Sequence, residues 1–149
     1  MRVVIQRVCE ASVTIDSQVK AKIKEGVMIL VGIYSEDNQE DIHWLTQKII
    51  NLRIFNDENG KMNLSLLDVK GEILLISQFT LFASTKKGNR PSFIQSAKPE
   101  IAVPLYEQLI ESLKATGIEI KTGTFGADMK VSLTNDGPVT ISIDSKNKE

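Results

Sequence analysis

The sequence predicts a single α/β domain in which mixed or antiparallel sheets form a barrel-like core packed with two main helices. Three observations carry this. The chain has 149 residues, the usual size of one domain, and no linker or repeat divides it. Hydrophobic residues make up 42% and charged residues 25%, enough of each for a buried core and a wetted surface without staples. The apolar periodicity runs strands, helix, strands, helix, strands, an order that argues against a doubly wound sheet.

The elements follow in order. Residues 2–8 read as a strand and Ala11 to Ile15 as a second, with Val13 and Ile15 on one face. The single cysteine, Cys9, lies in this apolar region and reads as a small core residue. It has no intrachain partner, which fits a reducing compartment. Gly26 opens Val27 to Ile33, a continuous apolar run of the kind buried on both faces. Ser35-Glu36-Asp37-Asn38 then offers helix caps and early negative charge. Ile42, Leu45, Ile49 and Leu52 follow at spacings of three and four, which predicts a helix with one core face. Glu36, Asp37, Glu40 and Asp41 read as its solvated, dipole-compensating face.

Asn56-Asp57-Glu58-Asn59-Gly60 is a turn cluster. Glu72 to Phe82 is the strongest strand signal in the chain. Lys86 to Pro91 is a basic loop. A second helix is predicted from Pro99 to Thr116, stopped by Gly117, with Pro104 able to kink its first turns. Ile118 to Lys121, Lys130 to Leu133 and Val139 to Ile143 read as strands. The polar tail, Ser145 to Glu149, is expected to fray.

Conventional catalytic chemistry finds little support. His43 is the only histidine, reads as a partly exposed helix residue, and is tied to no serine, so no triad is assembled. One histidine and one cysteine do not make a thiolate–imidazole zinc site. Gly123-Thr124-Phe125-Gly126 lacks the lysine-serine ending of a phosphate loop and reads as a turn. No cofactor and no metal are therefore expected. No stretch is apolar enough to span a bilayer, and Val3-Val4-Ile5 is too short for a signal peptide, so no membrane association and a cytoplasmic address are expected. A formal net charge of -1 gives no bulk reason for nucleic acid to bind.

Three features remain. Ser77-Gln78-Phe79-Thr80 sets three polar side chains in an apolar strand, where buried polar groups need partners or a task. Thr134 to Thr140 packs turn chemistry between two strands and by itself reads as a hairpin connection. From Ile73 to Lys98 there is no acid, while Lys86, Lys87, Arg90 and Lys98 occur, a local patch able to contact an RNA backbone.

These segments together resemble the D-aminoacyl-tRNA deacylase family. The resemblance rests on Met1-Arg2-Val3-Val4-Ile5-Gln6-Arg7-Val8 with Ala11-Ser12-Val13, on Ser77-Gln78-Phe79-Thr80-Leu81, on Asn89-Arg90-Pro91-Ser92-Phe93, and on Asn135-Asp136-Gly137-Pro138-Val139-Thr140. In this order and at these separations they cover nearly the whole chain. The resemblance implies hydrolysis of the ester joining a D-amino acid to tRNA, with glycyl-tRNA also cleaved and L-esters rejected. It implies a homodimer whose active sites lie near the interface, with Gly137-Pro138 in the cis form reaching into the partner's site and Arg7 supporting it. Ser77, Gln78, Phe79 and Thr80 would line the pocket, and Phe125 and Met129 would border the terminal adenosine.

Two routes are open for such a site. Thr80 as nucleophile needs a nearby base, and the sequence offers none. Water attack needs only orientation and backbone N–H donors near Phe79 and Thr80, with a ribose hydroxyl of the substrate helping to move the proton; this is the favoured route. The rivals are an RNA- or nucleotide-binding module, using the basic loop with Phe79 and Phe93 as stacking platforms, and a structural dimer with a degenerate site. Turnover separates the first from an enzyme. The intact Ser77–Thr80 and Gly137-Pro138 segments argue against the second.

Overall fold

The computed structural model describes all 149 residues. β1 (Arg2–Ile15) is one long strand where two were expected. Val3 and Ile5 point into the core while Arg2, Val4 and Gln6 stay half-buried. The alternation breaks after Val8, where the pairing register shifts. Cys9 falls at that break and is exposed, not a core residue. The left-handed pair Asp16-Ser17 (φ 49° and 63°) turns the chain into β2 (Gln18–Ile23), the geometry favoured in a two-residue hairpin.

β3 (Gly26–Gly32) lies between β1, to which it is antiparallel, and β6 (Glu72–Ser77), to which it is parallel. A Cβ on Gly26 would sit 2.0 Å from the Glu72 carbonyl oxygen, so the close start of this parallel pair needs glycine. Between them run α1 (Gln39–Asn51), the small hairpin β4 (Phe55–Asn56) and β5 (Met62–Leu64), and α2 (Leu66–Val69). Asn38 and Asp41 form the capping box that starts α1. After β6 come α3 (Pro99–Lys114) and β7 (Ile120–Thr122), parallel to β6. Pro104 is carried inside α3, which continues past it.

The sheet order is β2-β1-β3-β6-β7, and β8 (Lys130–Asp144) pairs along the other edge of β1. The sheet is thus mixed, and it curls until its ends meet. Lys121 on β7 donates to the Lys22 carbonyl on β2 at 2.8 Å, which nearly closes a barrel. α1 and α3 cover one face and touch through Thr46 and Ser112 (2.9 Å). The apolar run of β3 splits as a doubly buried strand should. Val27, Ile29 and Val31 face the helices with Ile73 and Leu75, and Met28 faces the inside of the curl with Leu74 and Ile76.

Four further expectations are corrected. The strand through Phe82 ends at Ser77, whose pairing with Val31 is the last in the β3–β6 ladder; the chain bends at Gln78, and Phe79–Phe82 form a 3-10 turn. The hairpin expected at Thr134–Thr140 does not exist. Asn135 pairs with Val8 and Thr140 with Gln6 on the same strand, so Asp136 to Val139 bulge out of a continuous β8. Asp37 and Asp41 are buried rather than solvated. Asp37 pairs with the buried α-amino group of Met1, while Asp41 accepts from Ser145 (2.7 Å) and Lys146 (2.7 Å). Ser145 is therefore anchored and buried, not part of a frayed tail. No helix is long and apolar enough to cross a membrane.

Candidate active site

A cavity of about 580 Å³ opens where β6 ends. The carboxyl ends of parallel strands are where open sheets usually bind ligands, because the flanking connections diverge there. Its floor is apolar: Val31, Ile33, Ile76 and Ala102. Ser77, Gln78 and Phe79 form one wall, Phe125 and Met129 the facing one, and Phe93, Ser96 and Lys98 the rim before α3. The break in β6 creates the polar wall. In a regular strand, Ser77 and Gln78 would point to opposite faces. With Gln78 at φ -146°, ψ 84° the chain bends, and both line one space.

The facing wall is held from behind. Tyr106 is buried and donates its hydroxyl to the Leu75 carbonyl at 2.9 Å. Burial pushes that hydroxyl well above its ordinary range, so it stays a proton donor. Its ring lies 5.8 Å from that of Phe125 and fixes it. Gly123 leaves room for Met129, whose sulfur would lie 2.3 Å from a Cβ there. The turn read at Gly123–Gly126 is present.

Thr80 is half-buried and lies just off this wall. Its Oγ1 accepts a hydrogen bond from Gln78 Nε2 at 2.5 Å, and no carboxylate or imidazole bonds to it. The turn is closed by Gln78 N–H to Val31 C=O, Leu81 N–H to Gln78 C=O and Ala83 N–H to Thr80 C=O. The N–H groups of Phe79 and Thr80 donate to none of these partners, as expected for the first donors of a helical turn. Phe79 itself lines the cavity, and Thr80 follows it directly in the turn.

Gly137-Pro138 is a cis peptide and sits exposed at the tip of the β8 bulge. Arg7, buried beneath it, donates to the carbonyls of Asp136 (2.9 Å) and Ile54 (2.6 Å) and pairs with the Asp136 carboxylate at 3.2 Å. Neither Arg7 nor the dipeptide lines the cavity of its own chain. The predicted site residues thus form two groups. Ser77, Gln78, Phe79, Phe125 and Met129 meet around the cavity with Thr80 beside it, whereas Arg7, Gly137 and Pro138 meet elsewhere.

Lys86, Lys87 and Arg90 project from an exposed hairpin tied by Ser84 and Ser92 (2.8 and 2.9 Å). This hairpin leads straight into the rim residues. Ser96 had no sequence signal as a wall residue, and Lys98 only its place in the acid-free stretch. His43 is exposed on α1, and no group of three or more His, Cys, Asp or Glu is placed to hold a metal.

A family model described as D-Tyr-tRNA(Tyr) deacylase matches residues 4–144. Curated proteins named D-aminoacyl-tRNA deacylase are similar over the full length of both chains, at 66% identity in Flavobacterium psychrophilum and 68% in Bacteroides fragilis. Among solved structures, the c-Myc DNA Unwinding Element Binding Protein superposes with a TM-score of 0.91 at 42% identity, covering 97% of this chain and 98% of its own. A probable eukaryotic D-amino acid tRNA deacylase superposes with a TM-score of 0.83 over 95% and 97% of the two chains. At 17% identity it supports the fold alone.

Proposed function

The chain belongs to the D-aminoacyl-tRNA deacylases, ester hydrolases that proofread charged tRNA, and from that premise we propose how its own residues do this work. The substrate's terminal adenosine lies against Phe125 and Met129, which places the ester beside Ser77, Gln78 and Phe79. Water attacks the ester carbonyl. The N–H groups of Phe79 and Thr80 take the charge that develops on its oxygen, and a substrate ribose hydroxyl relays the proton. The single observation behind this reading is the break after Ser77, which leaves two N–H groups without backbone partners at the polar wall of a largely apolar cavity. Thr80 orients Gln78 rather than attacking, because its hydroxyl has no base.

The Gly137-Pro138 tip does not line this cavity in its own chain and stands out of β8. In a homodimer it reaches the partner's cavity and forms a backbone wall there. Backbone cannot swing aside as a side chain can, so an L side chain directed at that wall is excluded and a D side chain is not. Glycine, with no side chain, passes, which makes glycyl-tRNA a second substrate. Lys86, Lys87 and Arg90 meet the tRNA backbone. Such an enzyme works in the cytoplasm, where charged tRNA is. A chain that sediments as a monomer while active would remove the shared site.

The deciding experiment incubates the protein with D-tyrosyl-tRNA and L-tyrosyl-tRNA in parallel and follows ester loss against a blank. Rapid loss of the D-ester with the L-ester spared is the expected result. Binding of either charged tRNA without hydrolysis would replace the enzyme with a binding module.

A further inference from the structure

The rim of the cavity carries features that ester hydrolysis does not use. Phe93 is 37% exposed, and its ring is held edge-on by Phe79, with centroids 5.0 Å apart and planes at 70°. Lys98, the only cation on the cavity wall, makes no ion pair within the chain. The only carboxylate on that wall, Asp128, is taken up by Lys130 at 2.8 Å. The chain enters Phe93 directly from the hairpin with Lys86, Lys87 and Arg90, and no acid occurs anywhere from Ile73 to Lys98. An exposed aromatic face in a segment that carries unpaired cations before and after it is suited to a stacked base next to backbone phosphates. An apolar protein segment would cover Phe93 equally well but would leave the surrounding cations without counter-charges.

We propose that this rim is a subsite for the nucleotide preceding the terminal adenosine, with its base stacked on Phe93 and the phosphate linking the two nucleotides held by Lys98. The proposal rests on reading the cavity as the aminoacyl-adenosine site. Phe79 acts here as a positioning residue that keeps the Phe93 ring upright. The rim thereby distinguishes an ester on a polynucleotide end from the same ester on a free nucleoside.

The test compares D-tyrosyl esters of whole tRNA, of the CCA trinucleotide and of adenosine. Phe93→Ala is expected to lower kcat/KM on tRNA and on the trinucleotide by about 10- to 100-fold, the range of one lost base stack. The loss should fall chiefly on KM, and the adenosine ester should lose much less. Phe93→Trp should restore most of the loss. Lys98→Gln should flatten the salt dependence of the trinucleotide reaction by a log–log slope of about 0.7, one phosphate on a single strand. Equal losses on all three esters would make Phe93 a wall of the pocket and overturn the subsite, as would an unchanged rate on tRNA. If the unaltered protein cleaves none of the esters, the deacylase reading fails instead. Binding of uncharged CCA then decides the subsite: weakening by Phe93→Ala upholds it and equal affinity ends it.

Discussion

Thr80 is the residue on which the chemistry divides. Its oxygen already accepts from Gln78 Nε2, and nothing near it takes a proton. Thr80→Ala is therefore expected to retain hydrolysis, with a loss smaller than the roughly 100-fold that follows removal of one oxyanion donor. Single-turnover rates check this, and a covalent aminoacyl-enzyme trapped on the unaltered protein would contradict it. Gly137 is the second such position. A Cβ there would lie 2.8 Å from Val139 Cγ2 and 3.0 Å from an Arg7 terminal nitrogen, at a φ of +131° that side chains rarely adopt. The bulge is exposed, so Gly137→Ala should shift its tip while the core stays intact. Deacylation of the D-ester should fall markedly with little change in melting temperature. A full rate would detach the tip from the site.

Among the elements, Arg7 ties three together. It leaves β1, reaches under the β8 bulge to the Asp136 carbonyl, and meets Ile54 in the link between α1 and β4. Arg7→Ala strips these carbonyls of their donor at a cost of about 1–3 kcal/mol for each one left buried. Urea denaturation should register that destabilisation together with loss of activity. A stable but inactive variant would instead place Arg7 in direct contact with substrate. The end of β6 shows the same dependence between elements. The ladder with β3 ends where Ser77 pairs with Val31, and from Gln78 onward the chain turns and builds the cavity wall.

At the scale of the whole molecule, the two ends of the chain are locked together by charge. Burial raises the pKa of Asp41 more than any other single influence. Hydrogen bonds from Lys146, Ser145 and the Asn38 N–H together outweigh it and hold the carboxyl below its usual range. Asp144, also partly buried, is held low by Arg2, which donates to it at 2.8 Å, and by the Lys146 N–H. A folded pKa below the unfolded one means that the native state binds fewer protons. The stabilisation is then complete above the unfolded carboxylate value of about 3.9 and is lost as pH falls through the lowered values. Melting temperature should be flat from neutral to mildly acidic pH and drop below about pH 4. Asp41→Asn should lower it at neutral pH and flatten the acid drop; an unchanged acid profile would count against this lock.

The boundary between what is local and what is not runs through these residues. Apolar run length predicted β3, spacing predicted α1, Ser35–Asn38 offered the caps that start it, and Gly117 marked the stop of α3; these signals act within a few residues and survive in the sequence. The polar strand at Ser77–Thr80 and the turn residues at Asn135–Thr140 were legible as anomalies, and the family pattern tied them to one chemistry. Their shapes were not legible. A strand stops at Ser77 because the chain bends away from β3 at Gln78, and a turn-like segment became a bulge because both its flanks pair with β1. Asp37, Asp41 and Ser145 looked like solvent-facing residues and are buried because each meets a group far along the chain. By itself, then, the sequence determined the fold class, the helices and the residues worth suspecting. Only the tertiary structure decided which of them share a cavity, because strand pairing and charge burial depend on contacts that no local window contains.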